Sequence, residues 1–214
     1  MKNKQAKINY ADLWGLREEK YKFLEDHDVK NTKWHELQPK EQNYFFVPKD
    51  FSSEDIYNKF FTLENIFERY QIGLMTGQDD FFIDSDRGSL SRRVEIVLDN
   101  KTSDIELSLL YKLGSQAGKK LLRNRKTSHF DEGLLMRYSY RPFDARYIYA
   151  ENKFLWRSVE DLRTNFIKPN LAIITTRILS ALPFRHAFIS ENIGDNTFIS
   201  NFTKERNYFF PLYF

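Results

Sequence analysis

The stretch Tyr140-Arg141-Pro142-Phe143-Asp144-Ala145-Arg146-Tyr147-Ile148-Tyr149 restricts the fold more than any other part of the sequence. Before it lies Leu134-Leu135-Met136-Arg137-Tyr138, an apolar run with strand character. Pro142 interrupts the extended chain, and the residue before a proline is steered away from helix. Tyr147 and Tyr149 then alternate around Ile148, the period of a second strand. The expected form is strand, tight corner, strand, with two arginines and one aspartate at the corner. Asp144 can brace Arg146 or Arg141 by charge-assisted hydrogen bonds while the tyrosine rings fill a core. The corner can also present an arginine to a phosphate or to the edge of a guanine. The two readings are compatible, since one arginine can be braced while the other reaches out.

Charge is distributed unevenly around this corner. Between Leu110 and Arg177 there are fourteen basic and six acidic residues, a balance of +8 on a chain whose total is +3, which leaves −5 elsewhere. Lys119, Lys120, Arg123, Arg125 and Lys126 fall within eight positions with no acid among them. A solvated face would account for such a run. The interleaved Tyr138, Tyr140, Tyr147, Tyr149 and Trp156 shift the reading towards a surface that meets a polyanion such as nucleic acid.

The remaining elements alternate between types. Helices are expected over Ala11–Leu24, weakened by Gly15 near its start, and from Ser52 to about Tyr70, with Ser52 and Asp55 as a capping box. Further helices are expected over Asp86–Leu98, capped by Asp84 or Asp86, over Ser103–Tyr111, capped by Ser103, and over Val159–Ile167. Strands are expected at Tyr44–Val47, Phe81–Ile83, Leu171–Thr176, Ala187–Ile189 and Thr197–Ile199, the last two joined by a Gly194-Asp195-Asn196 turn. Two glycines bracket the polar loop in Ile72-Gly73-Leu74-Met75-Thr76-Gly77-Gln78-Asp79. The aromatic end, Tyr208 to Phe214, belongs inside a larger structure. The expected fold class is therefore α+β, a mixed, largely antiparallel sheet with packed helices. No linker rich in Pro, Gly or Ser divides the chain, so one domain over residues 1–214 is expected. With 41% hydrophobic and 16% aromatic residues the chain can bury a core, which excludes a disordered segment.

Catalytic signatures fail on inspection. No cysteine is present, so thiolate metal sites and thiol nucleophiles are excluded. Gly114-Ser115-Gln116-Ala117-Gly118-Lys119-Lys120 is one residue too short for a phosphate loop, and Lys120 stands where a hydroxyl should hold Mg²⁺. Asp84, Asp86 and Glu95 have calcium-loop spacing, but the required glycine is displaced to Gly88. His27, His35, His129 and His186 are scattered without metal-ligand spacing. Asp12, Glu18, Glu19 and Lys20 lie on an expected helix and fit a surface salt-bridge face. Neither Gly-x-Ser-x-Gly, Gly-x-Gly-x-x-Gly nor the Asn-Pro-Pro-Tyr of amino-methyltransferases occurs. No run approaches membrane-spanning length and the basic N-terminus lacks an apolar signal core, so a cytoplasmic protein is expected.

Five pieces resemble, in order, the C-terminal specificity region of type ISP restriction–modification enzymes and related adenine-specific DNA methyltransferase proteins. They are Asp12–Tyr21, Ile72–Asp79, Tyr140–Tyr149, Leu171–Arg177 and Phe210–Tyr213. The second and third are the most specific. The family commonly has arginine where this chain has Gln78. The resemblance implies a non-catalytic piece of a larger protein that reads duplex DNA, with no cofactor of its own. Its implied neighbours are a methyltransferase and also helicase or nuclease domains. It further implies that the aromatic end marks a truncation. On that reading Lys119, Lys120, Arg123, Arg125 and Lys126 serve phosphates, which carry no sequence information. Thr76 and Gln78 face base edges, since glutamine can bond adenine at two points. Arg141 and Arg146 serve the corner, with Arg157, Arg163 and Arg177 as further readers. Two other classes fit the residues. One is a small Mg²⁺-dependent nuclease using Asp79, Asp80 or the Glu18/Lys20 pair. The other is an interaction module that docks a methyltransferase or helicase core through its aromatics.

Overall fold

The computed structural model describes residues 6–41, 43–157, 160–179, 182–199 and 205–213. They form two compact units, Met1–Phe61 and Thr62–Phe214. In the first, strands β1 (Ile8–Tyr10) and β2 (His35–Leu37) pair antiparallel, with Ile8 opposite Leu37. Helix α1 (Arg17–Asp26) lies between them in sequence. It starts later than its hydrophobic spacing predicts, because Gly15 turns the chain at φ +118°. The Glu19 carboxylate then accepts from the Leu16 amide at 3.0 Å.

Two expectations in this part of the chain are corrected. Tyr44–Val47 is not a strand. Tyr44 has φ +45°, and no strand among the described residues pairs with the segment. The long helix from Ser52 to about Tyr70 is reduced to α2 (Glu54–Tyr57) and a 3₁₀ turn at Leu63–Asn65. Ile56, Phe60 and Ile66 are exposed, so the helix has no buried face to stabilise it beyond a turn. The capping box is also absent. Ser53 is the N-cap and makes no side-chain bond, while the Ser52 amide donates to Asp50.

The second unit carries two four-stranded sheets. Its strands are β3 (Gln71–Ile72), β4 (Ile83–Asp84), β5 (Leu135–Arg141), β6 (Asp144–Tyr149), β7 (Ala172–Thr176), β8 (Ala187–Ser190), β9 (Ile193–Gly194) and β10 (Asn207–Pro211). One sheet runs β3-β10-β7-β8, all antiparallel. The other runs β4-β6-β5-β9 and is antiparallel except for the parallel β5–β9 pair. The chain is thus α+β with mixed, mostly antiparallel sheets. The aromatic end supplies β10, with Phe209 and Phe210 buried and the Phe210 ring 5.0 Å from Tyr70. Asn207, fully buried, accepts the Ile199 amide at 2.6 Å.

The helices of this unit are α3 (Asp79–Phe82), α4 (Arg87–Leu98), α5 (Asp104–Leu110), α6 (Gln116–Asn124) and α7 (Glu160–Thr164), of which α3 and α4 pack against the β4-β6-β5-β9 sheet. Caps follow the sequence. Asp86 accepts from the Ser89 amide, Ser103 from Glu106 and Ser115 from Gly118. Along α4, Leu90, Val94, Val97 and Leu98 are buried at helical spacing, and Arg93 ties the helix to Asp84 and to the Phe81 carbonyl, both at 2.9 Å. Phe81 and Phe82, expected in a strand, close the helical turn α3, and β4 begins immediately after it, at Ile83. The strand expected at Thr197–Ile199 does not form. The Asp195 carboxylate takes the amide and hydroxyl of Thr197, at 2.7 and 2.6 Å, and turns the chain there. Val159, the expected start of α7, lies outside the described residues. Among those described, no helix is long and apolar enough to cross a membrane.

Candidate nucleic-acid interface

The Tyr140–Tyr149 stretch is a hairpin. Pro142 and Phe143 form the two-residue turn between paired Arg141 and Asp144. Proline comes first with its φ fixed, and Phe143 follows at φ +66°, fully exposed. A register shift between Ser139 and Arg141 bulges β5 just before the turn. Arg146 grips Asp144 through both oxygens, Nε to Oδ1 at 3.0 Å and Nη2 to Oδ2 at 2.7 Å. Hydrogen bonding from Arg146 holds the Asp144 carboxyl below its usual range, against the opposing effect of burial.

Tyr140 lies at the centre of this corner. The guanidiniums of Arg141 and Arg146 both lie over its ring, 4.0 and 4.1 Å from the centroid. Its hydroxyl donates to Asp79 at 3.2 Å, and Asp79 also accepts the hydroxyl of buried Thr76. Asp79 and Tyr140 are 61 residues apart in sequence, so one phenol joins the polar loop to the corner. Arg141 also reaches Asp195, Nη1 to Oδ1 at 3.2 Å, and donates to the Tyr140 carbonyl. Asp195 is buried and accepts the Tyr138 hydroxyl at 3.0 Å. Burial raises the Asp195 carboxyl above its usual range, partly offset by hydrogen bonds from Thr197 and the charge of Arg141. Burial pushes the Tyr138 phenol well up, and the Asp195 charge adds to it.

Two close approaches shape the loop. Leu74 bridges to Asp195 in parallel, and a Cβ on Gly73 would stand 2.5 Å from the Asp195 backbone. Gly77 has φ +70°, and a Cβ there would meet Trp156 at 2.8 Å and Ala117 at 3.1 Å. Met75 and Arg157 exchange backbone hydrogen bonds at 3.3 and 3.0 Å, which places exposed Arg157 beside the loop. Half-buried Gln78 donates its side-chain amide to the Lys112 carbonyl at 3.3 Å, just ahead of α6.

The basic run divides by role. Lys119, Arg123 and Lys126 lie on the outer side, and Lys126 stands 3.5 Å from Asp104. Lys120 turns inward and donates to the carbonyls of Leu155 at 2.7 Å and Asn152 at 3.2 Å. Arg125 is 3% exposed, with its guanidinium bonded to Asp104 and to the carbonyls of Val97 and Thr102 at 2.7–2.8 Å. A side chain so enclosed is a brace and does not reach a phosphate, despite its place in the basic cluster. Arg163 pairs with Glu160 at 3.3 Å on α7. Arg177 follows β7 in the other sheet, exposed, and its charge acts on Tyr70. Thr76, expected to face a base edge, is 1% exposed, with its hydroxyl donating to Asp79 and accepting the Gln78 amide at 3.1 Å, so it braces the loop from inside. The structure thus brings together Gln78, Arg141, Arg146, Arg157 and the start of α6. No hydrogen bond or ion pair described above joins Arg163 or Arg177 to that group. Sequence reasoning missed Asp195 and the linking role of Tyr140. The turn residues around Asp195 were visible, but their partner across the sheet was not. Among the described residues, no three His, Asp or Glu side chains gather as a metal site.

Residues 65–214 match the family described as the type ISP C-terminal specificity domain. The chain belongs to that family. The loop and the corner of this specificity domain both fall inside the matched residues, whereas Asp12–Tyr21 lies outside them. No curated protein matches the sequence. The specificity domain shares its fold with part of a DrdV–DNA complex solved by cryo-electron microscopy, with TM-score 0.65, 16% identity and 97% of this chain covered. It is also similar to a nuclease-deletion mutant of the type ISP restriction-modification enzyme LlaGI in complex with a DNA substrate mimic, with TM-score 0.63, 20% identity and 96% covered. A third likeness is to the ATP-dependent type ISP restriction-modification enzyme LlaBIII bound to DNA, with TM-score 0.57, 16% identity and 83% covered. The chain spans only 22%, 18% and 12% of the length of those chains.

Proposed function

We propose that the chain recognises a target sequence in duplex DNA as the specificity part of a longer restriction–modification protein. Its partners within that protein are methyltransferase and helicase or nuclease domains, and the chain itself carries out no catalytic step. The observation that carries this reading is the Tyr140–Asp79 hydrogen bond, which fuses the Thr76–Asp79 loop to the two-arginine corner. Side chains that read bases must be held to within about half an ångström, and this junction supplies that support. Gln78 keeps its amide oxygen and one N–H for a base edge after its bond to Lys112. Lys119 and Arg123 lie four residues apart on α6, so both point to one side, the arrangement for phosphates along one strand.

The test is duplex binding over a range of salt. Lys119→Ala with Arg123→Ala is expected to weaken binding to every duplex alike and to reduce the salt slope by about 0.9 for each phosphate that is no longer neutralised. Lys120→Ala is expected to lower stability instead. An unchanged slope in the double variant would remove α6 from the DNA surface.

A further inference from the structure

Phe143 at the hairpin tip takes no part in the network beneath it. It is 104% exposed, so its ring gains nothing from packing within the chain. It also sits at φ +66°, where glycine or asparagine is favoured and a bulky ring is an outlier. The turn that holds it is braced from both sides. Arg146 clamps Asp144, and Arg141 is anchored on buried Asp195. Pro142 removes one backbone freedom immediately before the ring. Of the hairpin's three arginines, Arg141 and Arg146 are paired with Asp195 and Asp144, while Arg137 on β5 is exposed and can meet a polyanion beside the tip.

We propose that Phe143 is an apolar wedge that enters between two adjacent base pairs of duplex DNA. This rests on the DNA-recognition reading above and adds a deforming contact to it. A ring pushed between stacked bases unstacks them and kinks the duplex, and a pre-set tip does so without ordering cost at the moment of binding. Pyrimidine–purine steps unstack most easily, so the wedge selects such a step without a hydrogen bond to either base.

The test begins with selection of bound duplexes from a random library, about two helical turns long, by the 214-residue chain. Enriched duplexes labelled at both ends then report affinity and bend by energy transfer. A TA or CA/TG step at one fixed position is expected among the enriched sequences. Phe143→Gly relaxes the backbone, so its melting temperature should equal or exceed that of the wild type. Its affinity for the enriched duplex is expected to fall about tenfold or more, with loss of the bend, and Phe143→Leu is expected to recover part of both. If Phe143→Gly binds and bends an enriched duplex as the wild type does, the wedge is overturned. If the wild type enriches no sequence, the recognition reading fails and the wedge fails with it.

Discussion

Arg125 and Lys119, six residues apart in one basic cluster, have opposite fates. Arg125 satisfies one carboxylate and two carbonyls in the interior, while Lys119 projects from α6. Arg125→Ala is expected to cost about 3 kcal/mol in urea unfolding, because it strands two carbonyls that a charged donor satisfied. Arg125→Lys should recover little, since one ammonium cannot match a fork directed at three acceptors. Tyr140→Phe is expected to cost about 1 kcal/mol, keeping the ring under both guanidiniums but releasing Asp79. Asp195 gives a pH signature. Its folded pKa is raised, so its stabilising contribution is complete below the ordinary aspartate value of about 3.9 and is lost as pH rises through the raised one. The melting temperature of the wild type relative to Asp195→Asn should therefore fall over that rise. A flat difference would mean that burial of the carboxylate is fully compensated.

At the scale of elements, legibility followed local chemistry. The hairpin was readable because Pro142 and the alternation around Ile148 are local signals, and the helices that begin at Asp86 and Ser103 were readable from their caps for the same reason. The long helix after Ser52 was not, because its apolar spacing is genuine but Ile56, Phe60 and Ile66 stay exposed. The strand expected at Thr197 was lost to a single side chain, Asp195, whose competition with the ladder cannot be seen in a hydrophobic pattern. Much of the candidate site was named residue by residue, but its wiring was not. Sequence position does not reveal that Tyr140 meets Asp79, or that Lys120 turns inward. The loop offers a direct check on this packing. Gly77→Ala adds a Cβ at 2.8 Å from Trp156 on a left-handed backbone, so a loss of about 1–3 kcal/mol is expected in thermal or urea unfolding.

For the whole molecule, the family match over residues 65–214 coincides with a surface whose polar loop, arginine corner and basic helix are mechanically coupled. A basic face alone would bind any duplex with a steep salt dependence. A coupled loop and corner should add discrimination on top of it. The most direct test is the ratio of dissociation constants for an enriched duplex and a scrambled duplex of equal length, measured with the 214-residue chain at a single salt concentration. A preference of about 10³ or more for the enriched duplex is expected of a recognition domain, and equal affinity for the two would contradict it.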